Sequence, residues 1–107
     1  MTIAPMLEKD LQQTVIDLAR LFRWKVAHFR PALTRHGWRT PVQADGAGFP
    51  DLLMCRDKRL LAVELKAKGK KPSAEQEEWL ETLRSVGAEI HVWTEKDLPD
   101  NVLAVLR

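Results

Sequence analysis

At 107 residues, with 45% hydrophobic and 30% charged content, the chain can bury one core and leaves no room for a second domain, so residues 1–107 are expected to form a single unit. A formal charge of +2 and a pI near 8.9 are only mildly basic, which leaves any attraction to a polyanion to local clusters rather than to overall charge. One cysteine, Cys55, excludes an internal disulfide, the N-terminus lacks a signal-peptide pattern, and no apolar run approaches the roughly 20 residues of a membrane span, so a reducing, cytoplasmic setting is expected.

Leu7, Leu11, Val15, Leu18 and Phe22 recur at helical spacing, which predicts a first helix over residues 5–22. Glu8 lies on a neighbouring stripe with Gln12, Val15 and Ala19. It is either an acid favoured in the first turn of a helix or a carboxylate leaning into a site assembled further along. Trp24 to Phe29 reads as a first strand. The polar stretch that follows, as far as Ala47, is the least regular part of the chain and reads as a long loop. Its Arg30, Arg35, Trp38 and Arg39 suit phosphates and unstacked bases; the alternative is an ordinary solvated loop with Trp38 folded back. His28, His36 and His91 have no partners at zinc-ligand spacing.

Gly48-Phe49-Pro50-Asp51 then opens an apolar strand, Leu52 to Cys55. The short basic Arg56-Asp57-Lys58-Arg59 fits a hairpin turn into a second run, Leu60 to Ala67, which carries Glu64-Leu65-Lys66. Alternation sends Leu61, Val63, Leu65 and Ala67 to one face, read as core, and Ala62, Glu64 and Lys66 to the other. Pairing of the two strands brings Asp51 close to Glu64. Lys68-Gly69-Lys70-Lys71-Pro72 follows as a flexible basic segment, either solvated or in contact with phosphate. Ser73-Ala74-Glu75-Gln76 satisfies a capping box ahead of a helix whose apolar stripe is Trp79, Leu80, Leu83 and Val86 and whose stop is Gly87. Ile90 to Trp93 gives a fourth strand, and Leu98 to Leu106 a last short helix.

Two carboxylates and an amine on one face suit phosphodiester hydrolysis. Carboxylates alone would repel the substrate, whereas Mg²⁺ held by Asp51 and Glu64 reverses the local sign and lowers the pKa of a bound water. Lys66 can orient or deprotonate that water or stabilise the charge on phosphorus, and the spacing does not separate these roles. An acid-x-Lys triplet is by itself cheap in so charged a chain, and an exposed Glu–Lys pair is ordinarily a solvated ion pair. The Gly-x-Pro-Asp turn before one strand and the triplet interrupting the other raise the signal.

Together Gly48-Phe49-Pro50-Asp51, Glu64-Leu65-Lys66 and Ser73-Ala74-Glu75-Gln76 resemble the VRR-NUC family of the PD-(D/E)xK nuclease superfamily, over about Glu8 to Trp93. The resemblance implies an α/β, restriction-endonuclease-like core, αβββαβ in order, with a four-stranded mixed sheet flanked by helices. It also implies Mg²⁺ or Mn²⁺ as cofactor and branched or structured DNA, Holliday junctions among them, as substrate, in a stand-alone bacterial or phage protein. In that family a glutamate on the first helix joins the metal site, the part Glu8 would take beside Asp51 and Glu64. A glutamine on the later helix faces the catalytic centre, the part Gln76 would take. One side chain has limited reach, so the capping and site roles of Gln76 are read as exclusive, with the site role preferred. No Val-Arg-Arg tripeptide is present. The expectation is thus a metal-dependent endonuclease with Asp51, Glu64, Lys66 and Gln76 catalytic, Glu8, Asp51 and Glu64 binding metal, and Arg30, Arg35, Arg39, Lys68, Lys70 and Lys71 on DNA. Paired incision would need a homodimer. The competing readings are a non-catalytic DNA-binding module and a partner-dependent subunit on the same scaffold.

Overall fold

Chain order in the computed structural model, which describes residues 6–29, 32–35, 37–39 and 42–107, begins with helix α1 (Glu8–Leu21) and strand β1 (Lys25–His28). A small hairpin follows, β2 (Ala32–Thr34) and β3 (Gly37–Arg39), and then β4 (Leu52–Arg56), β5 (Arg59–Leu65), helix α2 (Ala74–Ser85), β6 (Glu89–Trp93), a 3-10 turn (Glu95–Asp97) and helix α3 (Asp100–Leu106). The main sheet is mixed and four-stranded in the order β1-β4-β5-β6, with β1/β4 and β4/β5 antiparallel and β5/β6 parallel. The expected α/β architecture is therefore present. One element departs from it: the stretch read as loop from Arg30 to Ala47 contains the β2–β3 hairpin. Its strands are three residues each, too short for an alternating pattern to show, and Gly37 takes the positive φ of 95° at their turn.

Burial explains how the helices divide between the faces. Leu11, Val15 and Ala19, at four-residue spacing on α1, are fully buried and pack with Val102 and Leu106 of α3 against Leu52, Met54, Leu61, Val63, Leu65 and Trp93. α2 packs against β5 and β6, and Leu80 is buried. β5 is consequently covered on both sides: every residue from Leu61 to Leu65 is buried, including Ala62 and Glu64. The face that carries Ala62 and Glu64, which alternation separated from the core face, is thus buried as well. A parallel β5-α2-β6 crossover places a helix over the second face.

The basic hairpin turn serves the fold. Asp57 and Lys58 take φ of 50° and 66°, the left-handed pair that a two-residue hairpin demands. Arg56 and Arg59, flanking them, turn to the end of α3, where carbonyl groups lack partners within the helix. Arg56 Nη1 donates to Leu106 O (2.7 Å) and Phe22 O (3.0 Å), and its guanidinium lies 4.5 Å from the centre of the Trp24 ring. Trp24 Nε1 donates to the same Leu106 carbonyl at 2.9 Å. Arg59 holds Glu89 through two hydrogen bonds of 2.7 Å each. The last helix therefore packs on its own chain.

Arg56→Met keeps the aliphatic length and removes the donors. It is expected to lower unfolding free energy by about 1.5–3 kcal/mol, the range for hydrogen bonds made by a charged group, read from the urea midpoint.

Candidate active site

Strand register delivers the first carboxylate. Leu52 pairs with Val63, so Asp51, one residue before β4, stands opposite Glu64. Its backbone carbonyl accepts from Phe29 N (2.9 Å), and its side-chain Oδ2 accepts from Leu65 N (2.8 Å). The Asp51 side chain thereby takes the place of a strand acceptor where the β4–β5 ladder ends, which fixes it beside β5. This is the juxtaposition expected from the hairpin.

Glu64 is the buried charged residue of the core, at 1% exposure. Its Oε1 accepts from Gln76 Nε2 at 3.1 Å and lies 3.8 Å from Lys66 Nζ, while its Oε2 is buried with no hydrogen-bond partner. Burial pushes the Glu64 carboxyl up to about 9, the Asp51 carboxylate adds to the rise, Lys66 opposes it, and Glu8 contributes a further push. The surroundings thus favour the protonated form of Glu64. Glu8, half-buried at the start of α1, thus belongs to the electrostatic surroundings of the pair. Among the described residues no three His, Cys, Asp or Glu side chains form a ready-made metal cage.

Gln76 does both things read as exclusive. Its Oε1 accepts from Ser73 N at 2.8 Å while Gln76 N donates to Ser73 Oγ at 3.2 Å, completing the capping box, and its Nε2 reaches Glu64. The two ends of a primary amide have opposite polarity, so the carbonyl caps the helix while the amine serves the carboxylate.

What seats α2 at this distance was not read from the sequence. Gly48 (φ 80°) lies against the backbone of Glu75 and Gln76, and a Cβ there would meet Glu75 C at 2.6 Å and Gln76 N at 2.8 Å. Phe49 fills the space between Phe29 and Trp79, edge-to-face at 4.9 Å on each side, and Trp79 Nε1 donates to Asp45 O at 2.9 Å. Pro50 is fully buried. The glycine and proline around Asp51 carried the signal, since a Gly-x-Pro turn marks a close backbone approach. Nothing in the periodicity named its partner.

The cationic residues take varied places. Lys68, Lys70 and Lys71 are exposed directly beyond the end of β5, and Arg35 is exposed at the β2–β3 turn. Arg30, His36 and the side chains of Trp38 and Arg39 lie outside the described residues. Cys55, expected within an apolar run, is exposed. The donor set at the centre is carboxylate oxygen with one buried oxygen lacking a partner, which fits a hard divalent cation held by two carboxylates. No helix among the described residues is long and apolar enough to cross a membrane.

The family model of the VRR-NUC domain matches residues 7–96. A solved structure described as a VRR_NUC domain protein superposes with a TM-score of 0.65 at 24% identity, covering 96% of this chain and 89% of that one. This likeness is one of fold. No curated protein matches.

Two outcomes follow from the geometry. Because the folded-state pKa of Glu64 lies above its ordinary value of 4.5, its contribution to metal-free stability is complete below that value and is lost as pH rises towards 9. Urea midpoints in chelator should therefore fall from pH 5 to 9 in the native chain and fall less in Glu64→Gln. Gly48→Ala combines a left-handed backbone with a clash against α2. It is expected to cost about 2–4 kcal/mol in the same measurement.

Proposed function

The chain belongs to the VRR-NUC domain family, a family of nuclease-type domains, and from that premise we propose that it is a metal-dependent endonuclease that hydrolyses phosphodiester bonds in structured DNA, four-way junctions among them. The observation that carries the reading is Glu64: a buried carboxyl with one unpartnered oxygen, opposite Asp51 and attended by Lys66 and Gln76. Burying a carboxyl in that setting is unfavourable for stability alone. A site that must bind a cation gives a reason to retain it.

Asp51 and Glu64 would hold Mg²⁺ or Mn²⁺, with Glu8 adding negative charge behind them. When bound there, such a cation would provide a water of lowered pKa and offset charge on the phosphate oxygens. Leu65 N fixes one oxygen of Asp51, so that carboxylate presents its remaining lone pairs in a constant direction. Gln76, tied to Ser73 through its carbonyl, orients the Glu64 carboxylate through its amine. The ammonium of Lys66 beside Glu64 Oε1 orients the attacking water or stabilises charge developing on phosphorus. Lys68, Lys70 and Lys71, exposed just beyond this strand, grip the DNA backbone, and Arg30, Arg35 and Arg39 extend that grip. Each site cuts one strand, so paired incision calls for two copies of the chain.

The test is cleavage of a labelled four-way junction and a matched linear duplex in Mg²⁺ and in Mn²⁺. Cutting is expected with either ion and none in chelator, and Asp51→Ala and Lys66→Ala should each slow it by at least about 100-fold while DNA binding persists. Binding without cutting in every metal would overturn the reading in favour of a scaffold that only recognises DNA. Replacing Lys68, Lys70 and Lys71 together with alanine should weaken binding and flatten its dependence on salt by up to about three phosphate contacts.

A further inference from the structure

Topology gathers several chain segments at one end of the sheet. β1, β5 and β6 run in the same direction and β4 runs against them, so the start of β4 lies beside the ends of β5 and β6. α1 turns back into β1 through Phe22-Arg23-Trp24 and packs on β1 and β5, which brings its first turn to the same end. Asp51, Glu64, Lys66 and Glu8 all belong to this end, and the 3-10 turn Glu95–Asp97 follows directly beyond β6.

α1 begins without a cap of its own, because its N-cap residue is Leu7, which has no side-chain acceptor. An acceptor comes instead from 89 residues along the chain: Met6 N, just ahead of the helix, donates to Glu95 Oε2 at 2.8 Å. Glu95 is itself held in place. Thr94 N donates to Asp97 Oδ2 (2.9 Å) and Lys96 N donates to Thr94 Oγ1 (3.3 Å), which closes the turn on both sides. Lys66 N donates to Trp93 O (3.0 Å), so the strand leading into that turn is tied to the residue that carries the amine of the site.

Two residues beyond Met6, Glu8 continues the buried stripe of Leu11 and Val15 to the start of the helix and is half-buried there. Its charge is felt at Glu64. Asp51 is fixed by Leu65 N and Glu64 by the sheet and Gln76, whereas the place of Glu8 depends on the first turn of α1. First turns fray when their amides lack acceptors, and a frayed turn would carry Glu8 away from the sheet. A serine or asparagine at position 7 would cap the helix equally well. Such a local cap would stabilise the turn without fixing it relative to β5. The Glu95 carboxylate, anchored on the turn beyond β6, does both.

We propose that Glu95 is a positioning residue for the cation site: by holding Met6 N it seats the first turn of α1 against the ends of β5 and β6 and keeps Glu8 beside the Asp51–Glu64 pair. The inference rests on the reading of that pair as a cation site. Glu95 acts through Glu8 and not by its own charge, since its Oε2 is turned to the Met6 amide. What the position requires is therefore an acceptor of the right length on a fixed backbone.

The test measures Mn²⁺ binding to the whole chain without DNA, from the spin-resonance signal of the free ion, beside the thermal midpoint in chelator. Glu95→Ala should raise the dissociation constant for Mn²⁺ about 10-fold, the lower end of the range for residues that orient metal ligands. Met6→Pro, which removes the N–H and leaves Glu95 in place, should do the same. Glu95→Gln, whose amide oxygen still accepts from Met6 N, should stay within about 2-fold of the native chain. In a Glu8→Gln background Glu95→Ala should add less than about 2-fold, because both changes remove the same carboxylate from the site. An affinity unchanged in Glu95→Ala and Met6→Pro, whatever the midpoint does, makes the bond a helix cap only and overturns the proposal. A Glu95→Gln as weak as Glu95→Ala, or full additivity with Glu8→Gln, overturns it as well by assigning the effect to the charge of Glu95. A native chain that binds no Mn²⁺ overturns it together with the nuclease reading. Otherwise the two part: the expected affinities without cutting of any DNA would keep the role of Glu95 and sink the nuclease reading, and cutting by a chain indifferent to Glu95→Ala would do the reverse.

Discussion

The structure around the site depends on a carboxyl placed in a strand that is covered on both faces. Ionised and alone, Glu64 would be strongly unfavourable in that position, because desolvation penalises the charged form far more than surface placement would. Each neighbour answers part of that cost. Gln76 donates to one oxygen, Lys66 brings an ammonium near the same oxygen, and the other oxygen is left without a partner. Asp51 works in the opposite direction, since it adds a second acid where one is already disfavoured. Two acids so placed are stable together only if a proton or a cation lies between them. Burial and the neighbouring Asp51 thus favour the protonated form of Glu64.

Such a site needs a rigid frame, because carboxylates that repel one another would otherwise drift apart. The frame here is made by backbone as much as by side chains. Asp51 substitutes for a strand acceptor at Leu65 N, and Gly48 lets the loop touch the first turn of α2. The aromatic run Phe29-Phe49-Trp79 then ties β1, the loop and α2 into one packed unit. Gln76 reaches Glu64 from a helix whose own start it also caps, so the same side chain sets where α2 begins and where the carboxylate points. Moving any one of these parts moves the distance between Asp51 and Glu64.

The strands and helices that carry the site were legible because their periodicities are strong. α1, β4, β5, α2 and β6 lie within a few residues of their expected bounds, and the hairpin register that places Asp51 opposite Glu64 follows from turn length and alternation. What was not legible depended on tertiary contact. Alternation cannot tell whether the second face of β5 meets water or a helix, so the burial of Glu64 appeared only with α2 in place. The basic turn was read only as a hairpin connection, yet Arg56 and Arg59 also hold carbonyl groups at the end of α3 from far along the chain. Gln76 was divided between two roles because a sequence shows one residue where a structure shows two chemically different ends.

Charge over the surface completes the picture of how a polyanion can reach this centre. The exposed side of α2 carries Glu75, Glu77, Glu78 and Glu81, while the segment leaving β5 carries Lys68, Lys70 and Lys71. Duplex backbone laid along α2 would meet a row of like charge, and a buried acid pair behind it would add to the repulsion. Backbone entering over the lysine segment meets opposite charge first and arrives at the end of β5, where Lys66 and the Asp51 carboxylate stand. The net charge of +2 hides this division, because the acidic helix and the basic loop largely cancel in the sum. On the proposed nuclease reading, orientation on the substrate would follow from the separation of the two charge groups along one short stretch of chain, residues 68–81, rather than from overall basicity.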